Sequence, residues 1–308
     1  MRKITILIPV FQNQSSLNKL FNRIHKTILK NKAYKYEVIF VNDGSTDNSF
    51  IELLKLKKNF KFIKIISLEK NYGVNLAIKA GLKYCTGDLL TIIAADLQDP
   101  PELLTQMTGL YDKKQTPVIC SREDRVDPIV SKIFSKIYYF LIRFLINKNF
   151  PKGGFDLFLV EKKFFQIIEN CPKSSHLSIE LFNHFNAYQT ILYSRERREV
   201  GKSTWTFKKR LNLFIGTFLV SSVKFIKMVT LLGFMTASIS ILFGINIIYQ
   251  YFFNNNIEVQ GYSTIVTILC FMMSLLIIML GLLSEYTINI YLKKTNHESF
   301  IIDKEILK

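Results

Sequence analysis

The stretch from residue 37 to residue 58, EVIFVNDGSTDNSFIELLKLKK, decides how the chain is expected to fold. It opens with a short apolar run, which is typical of a buried strand, and it ends in a segment with the spacing of a helix. Between them lies a polar turn of Asn42, Asp43, Gly44 and Ser45, residue types that close strands and begin helices. The stretch predicts one strand–loop–helix unit, although the turn by itself is no more than a turn.

The same order repeats on both sides of this unit. Alternation of this kind predicts an α/β fold, with a mostly parallel sheet and helices on both faces. In such sheets ligands bind at the carboxyl ends of the strands. The opening MRKITILIPV is read as the first strand and not as a signal peptide, because its apolar run is short and no small-residue cleavage site follows. The predicted strands are residues 4–8, 37–41, 62–67 and 89–94, and the predicted helices are the stretch up to about residue 31, residues 47–58 and residues 74–84.

The loop after the fourth strand is acidic, in a chain that is otherwise basic. Residues 92–102 read IIAADLQDPPE. Asp96 and Gln98 offer the hard oxygen ligands that a divalent cation prefers, although acid at a strand end can also simply cap a helix. This loop and those at residues 9–11 and 42–47 follow strands of the same sheet, so we expect them to meet at one edge.

The composition restricts the class of partner. The chain has 308 residues and 49% of them are apolar, which is too apolar for disorder. Its 41 Lys and Arg exceed 24 Asp and Glu, and the net charge of +17 attracts polyanions such as anionic lipid or phosphorylated substrates. No nucleic-acid partner is predicted, because the basic residues cluster beside apolar segments and no aromatic-basic motif is present. The four cysteines and four histidines lack the spacing of a zinc site or a disulfide framework.

Two long uncharged runs, residues 228–257 and 259–284, follow a sharp change of composition near residue 225. Each exceeds the roughly 20 residues that a membrane-spanning helix needs. Buried core helices are the alternative, but they rarely run this long without a charge. The link between the runs has no Lys or Arg, whereas basic residues flank both outer ends. The positive-inside rule therefore predicts a two-helix membrane hairpin with its head and tail in the cytoplasm.

Residues 127–149 are expected to form an amphipathic helix. Apolar residues recur at every fourth position and basic residues fall on the other side, a pattern that suits a helix lying in the membrane interface. An ordinary helix packed on the core of the head is the alternative. The apolar stripe is Ile129, Ile133, Ile137, Leu141 and Leu145, widened by Val130, Phe134, Tyr138 and Ile142, and the basic residues are Lys132, Lys136 and Arg143.

Together these features resemble the inverting GT-A glycosyltransferases of family 2. The chain is most similar to the polyprenyl-phosphate glycosyltransferases related to dolichol-phosphate mannose synthase, in particular to bacterial members with a C-terminal pair of membrane helices. The resemblance spans nearly the whole chain. It is carried by IPVF at residues 8–11, VNDGSTD at 41–47, KNYG at 70–73, ADLQDPPE at 95–102, GGFD at 153–156 and REVGKS at 198–203.

The resemblance implies a role for each matching residue. Asp96 and Gln98 would hold Mg²⁺ or Mn²⁺ against the donor diphosphate, and Asp156 would lie near the reacting sugar. Asp156, Asp96 and Arg198 are the implied catalytic residues. Pro9, Val10, Phe11, Asp43 and Asn71, together with Asp96, would bind the nucleotide sugar, and Arg198, Lys202 and Ser203 would bind the donor and acceptor phosphates.

The chain also departs from the family pattern. Ala94 stands where the family often has the first acid of Asp-x-Asp, and Gln12-Asn13 replaces the common Asn-Glu. Together with Asn42 in place of an acid, these changes leave the donor open. Asp156 can also be read as a turn residue, and the basic run from residue 195 to residue 202 as a solvated face or a membrane-surface patch.

The implied function is transfer of a sugar from a nucleotide-diphosphate donor, with UDP as first choice, to undecaprenyl phosphate. The enzyme would sit in the bacterial inner membrane as a multi-pass protein, in contact with the lipid bilayer, and would build cell-envelope glycan such as lipopolysaccharide or another surface polysaccharide. A tetramer is implied by resemblance. The alternatives are a hydroxyl acceptor on a lipid-linked glycan or envelope polymer, and a non-catalytic membrane scaffold that binds nucleotide sugars. The expected domains are a GT-A head at 1–210, a juxtamembrane segment at 211–227, two membrane helices at 228–286 and a cytoplasmic tail at 287–308.

Overall fold

The computed structural model describes residues 1–123, 129–172, 175–196, 217, 223–253, 261–295 and 300–307. It divides the chain into two compact units. One contains residues 1–214 and 295–308 and is called the head below; the other contains residues 215–294 and is called the helical pair.

Within the described residues, one mixed sheet of eight strands forms the centre of the head. The strands are β1 (Lys3–Val10), β2 (Lys35–Asn42), β3 (Ile63–Leu68), β4 (Leu89–Ile92), β5 (Val118–Arg122), β6 (Phe155–Glu161), β7 (Gln189–Tyr193) and β8 (Ile302–Ile306). Their order is β7-β5-β6-β4-β1-β2-β3-β8. The pairs β1–β2, β1–β4, β2–β3 and β5–β7 are parallel, and β6 and β8 run antiparallel to their neighbours. The predicted α/β fold with a mostly parallel sheet is confirmed.

Helices cover this sheet. They are α1 (Leu17–Lys30), α2 (Ser49–Asn59), α3 (Val74–Leu82), α4 (Leu103–Lys114), α5 (Ile129–Leu145), α6 (Phe165–Asn170) and α7 (Leu177–Asn183), and a 3₁₀ turn lies at Lys162–Phe164. The central strand β1 shows why the fold is layered. Ile4, Ile6 and Ile8 share a core cluster with Phe21 of α1, whereas the intervening Leu7 packs against the backbone of α3 at Gly81, where any side chain would clash. A strand buried on both faces reads as a continuous apolar run.

The C-terminal segment forms a strand that the sequence did not predict. β8 pairs antiparallel with β3, with Ile66 opposite Glu305. Side-chain contacts reinforce the pairing, because Tyr84 donates a hydrogen bond to Glu305 and the Lys83 ammonium lies 4.5 Å from the ring centre of Phe300. The segment expected to be only a tail therefore completes the edge of the sheet.

The helical pair consists of α8 (Val223–Phe253) and α9 (Tyr262–Thr295). Thr230–Gln250 has a mean hydropathy of 2.0 and Tyr262–Thr287 one of 2.8, so both are long and apolar enough to cross a membrane. Small residues allow close contact between the helices, since Gly233 packs against Ile278 and Gly281 against Thr230. The large apolar side chains elsewhere on both helices are mostly exposed. By length and composition the two helices could thus form a membrane hairpin.

Helix α5 buries one part of its apolar surface and exposes another. The described side chains Ile142 and Leu145 are buried, whereas Ile137, Phe140 and Phe144 are 50%, 59% and 61% exposed. The predicted stripe contains Ile142, Leu145 and Ile137, and packing on the head buries the first two and leaves Ile137 exposed. The rings of Phe140 and Phe144 stack with their centres 6.3 Å apart.

Candidate active site

The loops after β1 and β2 are joined at the carboxyl edge of the sheet. The backbone N–H of Gln12 donates to Ser45 Oγ over 3.1 Å, and that of Asn13 donates to Ser49 Oγ over 3.0 Å. The loop after β4 reaches the same edge, because Ser16 Oγ donates to the carbonyl oxygen of Ala95 over 2.6 Å. The three loops therefore converge there, as the parallel strand order predicts.

Asp43 organises the loop that follows β3. Its carboxylate is buried and accepts the backbone N–H groups of Tyr72 at 2.8 Å and Gly73 at 2.9 Å. Gly44, with φ +62°, lies so close to the backbone of Lys70 that a side chain there would clash. Asn71 lies in this loop and is exposed. Asp43 therefore fixes the backbone of this loop at the carboxyl edge of the sheet.

The three residues at the end of β1 differ in what they expose. Pro9 and Phe11 are partly exposed. The Val10 side chain is 1% exposed and belongs to the core cluster, because alternate side chains of a strand point to opposite faces. Pro9 and Phe11 can therefore offer side-chain surface to a nucleotide, whereas Val10 contributes its side chain to the core.

The loop after β4 makes a tight turn at Asp96. The backbone N–H of Gln98 donates to Asp96 Oδ1 over 3.2 Å. Between them Leu97 adopts the left-handed conformation, with φ +63°, and its side chain is buried in the core. Asp96 and Gln98 stay partly exposed on either side of it.

This turn supplies two oxygen ligands and no closed metal cage. In the part of the chain that the structure describes, no group of three or more His, Cys, Asp or Glu could hold a metal ion. Mg²⁺ and similar ions at phosphate sites use one or two carboxylates and complete their shell with water and substrate phosphates. Asp96 with Gln98 has the residue types of such an arrangement.

A second polar cluster lies where β5, β6 and β7 reach the same edge. Arg122 at the end of β5 is 9% exposed and donates to Asp156, the 41% exposed carboxylate at the start of β6. Burial opposes the charge of Arg122, but Asp156 and Asp99 outweigh it and hold the pKa of the guanidinium above its usual value. Gly153 permits this geometry, because a side chain there would overlap the carbonyl oxygen of Arg122. The Gly153-Gly154 pair is therefore a structural requirement of the turn that presents Asp156.

Asp99 connects this cluster to the loop after β4. Its buried carboxylate accepts a 2.6 Å hydrogen bond from the Tyr193 hydroxyl and lies 3.5 Å from Arg195 Nε. Burial raises the pKa of Asp99, against the opposing charge of Arg195. His176 Nε2 lies 4.0 Å from Asp156 Oδ1, and burial lowers the pKa of His176, so its ring is neutral near pH 7.

The sequence analysis missed most of this cluster. Arg122, Tyr193 and His176 carried no motif, and Asp99 was noted only as part of the loop. The signal available was the repeated Ser-Arg-Glu at residues 121–123 and 194–196, which lies at the ends of two parallel neighbouring strands. Asp96, Gln98, Asp43, Asn71, Pro9, Phe11 and Asp156 all lie on loops or strand ends, whereas Arg198, Lys202 and Ser203 lie outside the described residues.

Comparison with known sequences gives a consistent picture. The sequence model of glycosyl transferase family 2 matches residues 5–167, which is more than half of the chain. Two relatives, both named as uncharacterized glycosyltransferases, match nearly all of it. The protein sll0501 of Synechocystis sp. is 28% identical over 291 residues, covering 94% of this chain and 91% of its own length. YkcC of Bacillus subtilis is 26% identical over 303 residues, covering 97% and 93%.

Comparison with solved structures supports the fold. Glucosyl-3-phosphoglycerate synthase from Mycobacterium tuberculosis, in complex with Mn²⁺, UDP-glucose and phosphoglyceric acid, aligns with a TM-score of 0.52 at 14% identity. The alignment covers 71% of this chain and 78% of the synthase. At this identity the likeness concerns the architecture alone, and it agrees with the expected GT-A fold.

Proposed function

Since the chain belongs to glycosyl transferase family 2 and is a glycosyltransferase, we propose that it moves one sugar from a nucleoside diphosphate donor to undecaprenyl phosphate, with inversion at the anomeric carbon. The observation that carries the proposal is the loop after β4. It keeps Asp96 and Gln98 partly exposed at the carboxyl edge of the sheet, beside the loop after β1. An acidic turn at that position in a strongly basic chain suits a cation that neutralises a diphosphate.

At the donor end, Pro9, Phe11, Asp43 and Asn71 would bind the nucleoside, with UDP the first choice. The leaving diphosphate gains charge as the glycosidic bond breaks, and groups fixed where that charge develops lower the barrier. Mg²⁺ or Mn²⁺, when bound, would supply such charge stabilisation. Asp96 would hold the ion, together with Gln98.

At the acceptor end, the Arg122–Asp156 pair favours a phosphate nucleophile. A lipid phosphate is already an anion near pH 7, so it attacks without losing a proton. A hydroxyl acceptor would instead need a general base within hydrogen-bonding reach. Asp156 is held by Arg122 at one carboxylate oxygen, an arrangement suited to orienting the sugar. Arg198, Lys202 and Ser203 are proposed, from the resemblance alone, to bind the phosphates.

The acceptor is a lipid, and the apolar surfaces of the protein suit it. Helices α8 and α9 have the length and composition of membrane spans, and α5 carries the exposed row Ile137, Phe140 and Phe144. Aromatic and aliphatic side chains on one face of a helix enter the headgroup–acyl boundary readily. We propose that α5 rests on the inner leaflet of a bacterial inner membrane, with the head in the cytoplasm, as the basic flanks of the spans predict. The domain limits given above and a homo-tetramer belong to the same proposal.

The experiment uses detergent-solubilised full-length protein with undecaprenyl phosphate and a panel of UDP-, GDP- and CDP-sugars. We expect one donor to yield a new glycolipid by mass spectrometry, and the product to disappear with EDTA and in Asp96→Ala. Nucleotide binding without any glycolipid would contradict the lipid-phosphate acceptor. Turnover on a lipid-linked glycan would then support the hydroxyl acceptor, and binding without turnover on any acceptor would support the scaffold.

A further inference from the structure

Arg23 of α1 forms salt bridges to two carboxylates at once, and these contacts with Glu102 and Glu196 are called the Arg23 grip below. Its Nε and Nη2 donate to the two oxygens of Glu102 over 2.8 and 2.7 Å, and its Nη1 and Nη2 donate to those of Glu196 over 2.8 and 2.7 Å. Both contacts are bidentate, the arrangement in which a guanidinium fixes direction as well as charge. Arg23 is 21% exposed, whereas Glu102 and Glu196 are 53% and 40% exposed, so the grip lies at the surface of the head.

The two carboxylates belong to segments that lie against each other. Glu102 ends the acidic loop and immediately precedes α4, and Glu196 follows β7 by three residues. The backbone N–H of Glu196 donates to the carbonyl oxygen of Gln98 over 3.1 Å. Asp99 accepts a hydrogen bond from the hydroxyl of Tyr193 at the end of β7, and its carboxylate lies beside Arg195 of the segment that follows. The segment after β7 thus supports the acidic loop at several consecutive points.

The acidic loop needs such support because its backbone is strained. Leu97 has φ +63°, a conformation that costs a residue with a side chain roughly 1 kcal/mol. A strained backbone conformation persists where the surrounding contacts hold it in place. Ser16 holds the loop before the strained residue, through the carbonyl oxygen of Ala95, and the Arg23 grip holds it after that residue. Between these two anchors lie Asp96 and Gln98.

We propose that Arg23 is a positioning residue for the divalent cation. By gripping Glu102 and Glu196 it keeps the loop in the turn that presents Asp96 and Gln98 together. This inference rests on the proposed function, because it takes that loop as the cation seat. A purely structural ion pair is the competing explanation, and the two differ in what the loss of Arg23 changes. Ion pairs at partly exposed sites contribute little to stability, whereas residues that orient metal ligands change metal affinity by about 10–100-fold.

The test measures Mn²⁺ binding to the full chain in detergent, with and without UDP, by the decrease of the free Mn²⁺ electron paramagnetic resonance signal. Arg23→Gln is expected to weaken Mn²⁺ binding about tenfold and to lower the melting temperature by no more than about 3 °C. Arg23→Lys keeps the charge but cannot serve both carboxylates, and should recover part of the affinity. Glu196→Gln should weaken binding in the same direction, and combining it with Arg23→Gln should add little. Lys55→Gln breaks the exposed Lys55–Glu52 pair and serves as the matched control.

Three results would overturn the inference. Mn²⁺ affinity within about twofold of the wild type in both Arg23→Gln and Glu196→Gln means that the grip does not position the ligands. If Mn²⁺ affinity falls only in proportion to the melting temperature across all the variants, the role of Arg23 is merely structural. Equal Mn²⁺ binding by the wild type and Asp96→Ala would refute the cation seat itself, and with it this part of the proposed function. If Asp96→Ala loses Mn²⁺ binding while Arg23→Gln binds Mn²⁺ normally, the inference about Arg23 fails and the proposed function stays intact.

Discussion

Replacing Glu37 with Gln should destabilise the head strongly, although this residue lies at the amino edge of the sheet, away from the site. The Glu37 carboxylate is 3% exposed and faces Lys3 Nζ at 2.8 Å and Lys64 Nζ at 3.1 Å. It also accepts hydrogen bonds from Thr5 Oγ1 at 2.5 Å and from the Thr86 N–H at 2.6 Å. The substitution therefore removes the one acid on which several donors converge and leaves two ammonium groups beside a neutral amide.

The expected loss of folding free energy follows from the pKa of Glu37. Burial alone would raise the pKa of Glu37, but the hydrogen bonds from Lys3, Thr5 and Thr86 outweigh it and lower the pKa from 4.5 to about 2. A difference of that size corresponds to about 3 kcal/mol of folding free energy. Because the folded pKa lies below the unfolded one, this stability is present above pH 4.5 and is lost as the pH falls towards 2. Breaking a buried pair costs about 3–5 kcal/mol, and since both lysines are partly exposed we expect the lower end.

The assay is pulse proteolysis of the full chain in detergent across a urea series, at pH 7 and at pH 3. The wild type should lose stability between the two conditions, and Glu37→Gln should start lower at pH 7 and lose less on acidification. Glu169→Gln removes an exposed carboxylate from α6 and should leave the urea midpoint unchanged. A Glu37→Gln midpoint equal to that of the wild type at pH 7, or an equal acid-induced loss in both proteins, would refute the reasoning.

Three further predictions concern the site and the membrane surface. Gly153→Ala forces a side chain against the end of β5 and should destabilise the head by about 1–3 kcal/mol. Gly109→Ala, whose new side chain meets no atom within 4 Å, should be neutral or stabilise α4 by up to about 1 kcal/mol. Equal urea midpoints for the two variants would contradict this prediction. Asp156→Asn should lower kcat at least about tenfold and leave UDP affinity unchanged in a binding titration, and full turnover would exclude a role in catalysis. Phe140→Ser with Phe144→Ser should reduce turnover on undecaprenyl phosphate in vesicles several-fold and spare a short water-soluble acceptor, and an equal loss on both would indicate a folding defect.

Local signals made the first half of the head predictable. An apolar run followed by a polar turn and a helical stretch encodes its structure within about fifteen residues, so β1, β2 and β3 and the helices between them follow from the sequence. The loop of Asp96 and Gln98 was found for the same reason, because its residue types and its place after a strand are both local features.

The parts that were not predicted depend on partners far apart in the chain. Tyr193 and Asp99 are 94 positions apart in the sequence, and both long helices lie between β3 and β8 in the sequence. Neither contact therefore has a local signature. Which part of its apolar surface α5 buries has no local signature for a similar reason. A helix with a broad apolar surface does not specify which part packs, and the decision lies with residues such as Phe150 and Gly154 that Tyr139 contacts.

The pairing of β8 with β3 also sets an order of events during biosynthesis. Residues 302–306 are translated after both long helices, so β3 remains an open sheet edge until the helices have left the ribosome. At roughly 5–20 residues per second that wait lasts on the order of ten seconds or more. An unpaired edge strand is a template for wrong partners. A chain stalled before its second helix is complete would therefore display an exposed strand, and the sheet can close only once both long helices have been made.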